Sequence, residues 1–159
     1  MKYISRIFST GAVRETPDKV IKKILSELNK HHTRNIIEFG AGKGEITQPV
    51  IQHLDSSPIN YYAFEIDKKF SSLLKKSSPA IHVVSEDAFE FEKSLPAGFK
   101  ADCIISSMPL SFYSKPNLVH FLDKVRDRLT DHGKILILFH AFWMIPFFKK
   151  QLTPVFIHR

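Results

Sequence analysis

The sequence predicts an α/β fold built on a doubly wound, mostly parallel sheet. Three observations carry that expectation. Short apolar runs alternate with stretches of helical periodicity, the order that sets helices against a parallel sheet. Ile135-Leu136-Ile137-Leu138-Phe139 is apolar at every position, as a strand covered on both faces requires. A glycine-rich loop directly follows the first core strand, and ligands of such sheets bind at the carboxyl ends of the strands. The length of 159 residues suits one domain. It divides into a basic segment (1–15), a core (16–140) and an aromatic, basic tail (141–159).

The elements follow in order. Thr16-Pro17-Asp18 reads as a helix start, with Thr16 as cap, Pro17 at the first helical position and Asp18 in the first turn. Val20, Ile21, Ile24, Leu25 and Leu28 then recur on one face. Residues 35–39 form a strand that runs into glycines, and 45–54 a helix. Strand 61–66, helix 68–75 and strand 81–85 come next. Residues 101–106 read as a buried strand holding the single cysteine, Cys103. Leu118, Phe121, Leu122, Val125 and Leu129 make a helical stripe. Gly133 is expected to close that helix in a left-handed conformation. A fifth strand spans 134–139, and 154–158 reads as a short further strand.

Composition narrows the class. The hydrophobic fraction is 43% and the charged fraction 25%, which is globular composition. One cysteine excludes an internal disulfide framework, and no metal site is expected. The net charge is +7. Residues 1–34 hold eight Lys/Arg and three acids, so +5 of it lies ahead of the glycine loop. That basicity favours an anionic partner. No secretory signal opens the chain, and the longest apolar stretch, 135–148, is shorter than the roughly 20 residues of a membrane span. A cytoplasmic protein, peripheral to a membrane in one reading, is expected.

Glu38-Phe39-Gly40-Ala41-Gly42-Lys43-Gly44 carries the chemistry. Glycines let the backbone turn sharply and approach a ligand closely. A strand-to-helix loop also aims free N–H groups at it. Glu65 follows about 20 residues on, where a carboxylate can hold both hydroxyls of a ribose. Glu86-Asp87-Ala88 lies at the end of the third strand, within reach of an adenine amino group.

These motifs, with Phe64-Glu65-Ile66-Asp67 and Ser106-Ser107-Met108-Pro109-Leu110, resemble the class I S-adenosylmethionine-dependent methyltransferases in order and spacing. The resemblance covers residues 10–140. It implies a Rossmann-like methyltransferase fold with S-adenosyl-L-methionine as cofactor. Gly40, Ala41, Gly42 and Gly44 would line the methionine moiety, and Glu38 would orient the loop or the ammonium group. Glu65 would bind the ribose, Ile66 would pack on the adenine, and Asp87 would bond its amino group beside Ala88. Ser106 would border the cofactor. The family's usual final two-stranded hairpin has little chain left to form it, so the sheet is expected to be cut short after the fifth strand.

Ser106, Ser107 and Pro109 are the candidate catalytic residues. Ribosomal RNA adenine dimethylases carry an Asn-Leu-Pro-Tyr type motif at this place, whereas here Ser107 stands for the asparagine and Leu110 for the ring. The segment is more similar to the Ser-Gly-Leu-Pro-Leu motif of bacterial phosphatidylethanolamine N-methyltransferases. Thr10-Gly11-Ala12-Val13 also resembles that group. The first expectation is therefore methyl transfer to an amine, with a phospholipid headgroup as substrate and an anionic membrane surface as partner. The alternatives are RNA adenine N6-methylation, with RNA as partner, and non-catalytic cofactor binding. Tyr3, Ile4, Ile7 and Phe8 against Lys2 and Arg6 read as a basic amphipathic helix. No general base stands out, although His140 lies nearest the expected site, ahead of His82 and His120.

Overall fold

The computed structural model describes residues 4–9, 16–54, 58–139, 141–152 and 155–158. Side chains are described from residue 16 to residue 152 of these. The strands are β1 (Ile4–Ser9), β2 (Asn35–Phe39), β3 (Asn60–Phe64), β4 (His82–Val84), β5 (Ala101–Ser106), β6 (Leu129–Phe139) and β7 (Val155–His158). The helices are α1 (Asp18–Glu27), α2 (Thr47–Leu54), α3 (Lys68–Ser77), α4 (Lys115–Asp127) and α5 (Ile145–Gln151). Short 3-10 turns lie at Ala88–Ser94, Leu110–Phe112 and Phe142–Met144.

All seven strands join one sheet in the order β4-β3-β2-β5-β6-β1-β7, and every pairing is parallel. Strand residues alternate between two apolar layers. Ile36, Tyr61, Ala63, Cys103, Ile105, Leu136 and Leu138 pack with Val20, Ile24, Val50 and Leu74 of α1, α2 and α3. Ile37, Phe39, Phe64, Ile104, Ile135 and Ile137 pack with Phe91, with α4 through Phe121 and Leu122, and with α5 through Phe148. Helices thus cover both faces, which is why the central strand segments, such as residues 103–105 and 135–139, are apolar without alternation. The chain moves outward from β2 in one direction through β3 and β4, and in the other through β5 and β6. The crevice between the carboxyl ends of β2 and β5 is therefore the topological switch point.

The five-stranded core ends at β6, as the sequence predicts. Its edge is not left bare. β1 pairs with β6 from Ile4↔Lys134 to Ser9↔Phe139, and β7 pairs with β1. The expected N-terminal amphipathic helix is thus a strand over residues 4–9. An exposed edge of β6 would leave a row of backbone donors and acceptors unpaired, and a ladder satisfies them where a surface helix would not. The remainder of that expected helix, and Thr10-Gly11-Ala12-Val13, lie outside the described residues.

Two local expectations also change. Gly133 does not close α4, which ends at Asp127, nor does it take a positive φ. It lies within β6, where Leu129 pairs with Ala101 and Lys134 with Cys103, so four residues stand against Asp102 alone. A Cβ on Gly133 would come 2.9 Å from the Ala101 carbonyl oxygen and 2.8 Å from Leu129 Cδ2. Glycine is needed there for close approach, not for handedness. At α1, Pro17 occupies the cap position and Thr16 gives the helix no side-chain cap. The Thr16 backbone N–H and hydroxyl instead donate to Glu45 Oε2, at 2.9 and 3.3 Å.

Candidate active site

The glycine loop leaves β2 at Phe39 and turns back toward α2. Gly40, Gly42 and Gly44 take φ of 77°, 56° and 94°. Gly44 shows why only glycine serves: an added Cβ would also lie 2.8 Å from Leu74 Cδ1. The Gly40 and Ala41 N–H groups donate to the Phe64 carbonyl at 2.9 and 3.1 Å, which fastens the loop to the end of β3. Glu65 completes the fastening. Its carboxylate accepts from Gly42 N–H at 2.7 Å and from Asp67 N–H at 2.9 Å.

Glu38, Gly40, Ala41, Gly42 and Ser107 line a cavity of about 290 Å³ at the switch point. Thr16, Lys43, Glu45, Ile46 and Phe70 complete it. Sequence reasoning gave none of these five a binding role. The sequence presents Thr16 as a helix cap and Glu45 as the first residue of a helix. Their hydrogen bond across 29 residues of chain leaves no local signal.

Glu38 is fully buried. Its Oε2 accepts from Thr47 Oγ1 at 2.5 Å and from the Tyr61 hydroxyl at 2.6 Å. Its Oε1 has no hydrogen-bond partner. Burial pushes the Glu38 carboxyl up to about 7, against the lowering by those two donors and with a further rise from the charge of Glu65. Burial pushes the Tyr61 hydroxyl well above its usual range too, followed by the charge of Glu38. A buried acceptor with an open lone pair beside a cavity suits a cationic or hydrogen-donating group. Ser106 Oγ, at the end of β5, is likewise buried without a partner.

The other predicted residues fan out along the same edge of the sheet. Ile66 is 68% exposed and free to cover a flat ring. Asp87 stands at the end of the next strand, where its Oδ1 caps a turn by accepting from Phe89 N–H at 2.9 Å. Ala88 is buried behind it. Ser107 is tied to the glycine loop, its hydroxyl donating to the Gly40 carbonyl at 2.6 Å. Pro109 is exposed and precedes the turn Leu110–Phe112. The loop, Glu65, Ile66 and Asp87 thus lie in the order that a methionine moiety, a ribose and an adenine would need. The residues present fit S-adenosylmethionine: a glycine loop whose bare backbone lets a ligand come close, an unpartnered buried carboxylate oxygen, an acid one strand over and an exposed aliphatic cover. In this geometry the Glu65 carboxylate clasps the loop.

His82 and His120 are engaged away from the cavity. His82 stacks on Tyr62 at 4.6 Å, and His120 borders a separate hollow with Asp87 and Lys124. His140 lies outside the described residues. Among the described residues no group of three or more His, Cys, Asp or Glu is placed to hold a metal, and no helix is long and apolar enough to cross a membrane.

Known proteins place this geometry. The family model of ribosomal RNA adenine dimethylase matches residues 13–113. The ribosomal RNA small subunit methyltransferase A of Burkholderia lata is 28% identical over 116 residues, covering 69% of this chain and 42% of that protein. Its counterpart in Coxiella burnetii is 26% identical over 109 residues, covering 67% and 40%. The chain thus spans about two fifths of the length of these relatives. Among solved structures, the S-adenosylhomocysteine-bound methyltransferase PaMTH1 of Podospora anserina superposes with a TM-score of 0.63 at 13% identity, over 77% of this chain and 53% of that one. A TehB-like S-adenosylmethionine-dependent methyltransferase of Corynebacterium glutamicum gives 0.58 at 16%, over 74% and 59%. These likenesses carry the fold, and the match across the glycine loop, Glu65, Asp87 and the Ser107 segment carries the family. By that match the chain belongs to the ribosomal RNA adenine dimethylase family of class I S-adenosylmethionine-dependent methyltransferases.

Proposed function

We propose that the chain binds S-adenosylmethionine at the glycine loop and transfers its methyl group to the N6 amine of adenine in RNA. The observation that carries the reading is the family match over residues 13–113, which holds the cofactor edge and the Ser107 segment together. The phospholipid headgroup, which the sequence around Ser107 favours, has less support than RNA, because the curated relatives above are ribosomal RNA methyltransferases.

The cofactor supplies a methyl group already activated on a positively charged sulfur. The protein's task is then to orient and to exclude water. Glu38 offers Oε1 to the methionine ammonium while Thr47 and Tyr61 hold its other oxygen. Glu65 holds the loop and receives the ribose. Asp87 and Ile66 frame the adenine. On the acceptor side, Ser106 and Ser107 sit at the end of β5, and Pro109 opens the turn after it. The Ser107 hydroxyl is engaged with the Gly40 carbonyl, so it fixes the floor under the acceptor and does not bond the incoming base. The target amine must be out of any base stack to reach this edge. The Ser106 and Ser107 backbone carbonyls are then the acceptors that would align it.

The test is transfer of labelled methyl to three acceptors: single-stranded RNA, duplex RNA and phosphatidylethanolamine vesicles. Label on single-stranded RNA, recovered as N6-methyladenine, is expected. Label on the lipid alone would replace this reading with the phospholipid one. Cofactor binding without transfer to any acceptor would favour the non-catalytic one.

A further inference from the structure

Beyond the end of β6 the chain forms the turn Phe142–Met144 and α5. These face the turn after β5 across a groove of about 630 Å³. Trp143, Phe147, Lys150, Tyr113 and Lys115 are among its lining residues, and none of the lining residues is acidic. Trp143 is 78% exposed. A large indole left in solvent at a groove is a costly arrangement unless a partner covers it. The walls are firm. Met144 and Phe148 are buried beneath, Phe148 meets Phe139 edge-on at 4.5 Å, and the Arg126 guanidinium donates to the Gln151 carbonyl at 2.8 Å. Tyr113 is held against Phe89 with ring centroids 4.4 Å apart. The groove belongs to the same edge of the sheet as the acceptor residues: Ser111 of its lining lies two residues after Pro109.

We propose that this groove holds a single-stranded RNA segment flanking the target base. A base would stack on Trp143, and Lys115 and Lys150 would meet the phosphates on either side. The assignment rests on the RNA reading above and adds to it the surface that holds the strand. Three features select RNA over a membrane surface. The lysines line the groove together with the ring, in the alternation of aromatic platform and cation that single strands require. The site is concave and of the size of small-ligand clefts, roughly 300–1,000 Å³, where a bilayer needs a broad convex or flat face. The lining also supplies cations with no acid to repel phosphate. The groove further supplies the aromatic stacking surface that Leu110, buried at 4% exposure, does not.

Trp143 is the only tryptophan in the chain, so its emission reports this groove alone. The experiment titrates the full chain with a short unstructured RNA oligonucleotide, following Trp143 emission and, in parallel, anisotropy of a labelled oligonucleotide. Quenching that saturates with the anisotropy change is expected. Trp143→Ala should weaken binding about 5- to 150-fold, the range of one base stack on an aromatic ring. Lys150→Glu should lower the slope of log affinity against log salt by about 0.7 or more, the share of one phosphate on a single strand. Both variants should keep S-adenosylmethionine binding, measured by calorimetry, within twofold, which shows that they are folded. RNA binding that both variants retain in full would overturn the groove and leave the RNA reading standing. No RNA binding by the wild-type chain would overturn both. Blue-shifted emission with anionic vesicles, in the absence of RNA binding, would reassign the groove to a membrane surface.

Discussion

Glu38 concentrates the electrostatics of the site. It is a carboxyl with no exposure, two hydroxyl donors on one oxygen and none on the other. Its folded value near 7 stands above the ordinary 4.5. Between those two values the unfolded chain has lost this proton while the native chain keeps it. The Glu38 contribution to stability therefore falls as pH rises from about 4.5 to about 7, and is level above that. Glu38→Gln removes the titration. Chemical denaturation of both proteins at pH 5 and pH 8 should show the variant gaining on the wild type, by an amount on the order of 3 kcal/mol for a shift of this size. An equal difference at the two pH values would show that Glu38 is ionised throughout. The acids at the ends of β2, β3 and β4 were legible from residue type and spacing alone. The pairing of Thr16 with Glu45 was not, because it joins residues far apart through the fold.

Elements carry the next set of consequences. α3 begins at Asp67, whose Oδ1 accepts from the Lys69 and Phe70 N–H groups at 2.8 and 3.0 Å. Asp67→Ala should cost about 0.5–2 kcal/mol by denaturant titration, and Asp67→Asn should recover most of it. In β6, Gly133→Ala forces a Cβ against the Ala101 carbonyl and Leu129. A loss of about 1–3 kcal/mol is expected from overpacking, measured as a lower midpoint at unchanged slope. The core strands and helices were readable because apolar runs and 3.6-residue stripes coincide with burial. Two segments misled for physical reasons. Residues 4–9 hold apolar groups at Ile4, Ile7 and Phe8, a pattern compatible with either period, and only the open edge of β6 decides for a strand. Gly133 follows a helix closely enough to look like its stop, while the bulge opposite Asp102 is set by a partner strand about 30 residues earlier.

At the scale of the whole molecule, the two ends of the described chain close one edge of the sheet. β7 pairs only with β1, and β1 covers β6. Removing residues 1–9 should therefore free β7 and bare β6 together. A cooperative loss of stability and increased self-association, seen by thermal scanning with light scattering, is the expected outcome. The charge of +7 is likewise a whole-molecule property. Its larger part lies in residues 1–34, whereas the cofactor edge presents Glu38, Glu65 and Asp87. On the proposed function, basicity bears on the acceptor and the acids bear on the cofactor. The central claim is that the edge formed by the glycine loop and Glu65 is an S-adenosylmethionine site. Isothermal calorimetry of the folded chain with S-adenosylmethionine tests it most directly. Saturable binding of one cofactor per chain is expected, weakened by about 1.5–3 kcal/mol in Glu65→Ala, the scale of hydrogen bonds to a charged group. No heat of binding to the folded wild-type chain, or an affinity unchanged in Glu65→Ala, would contradict it.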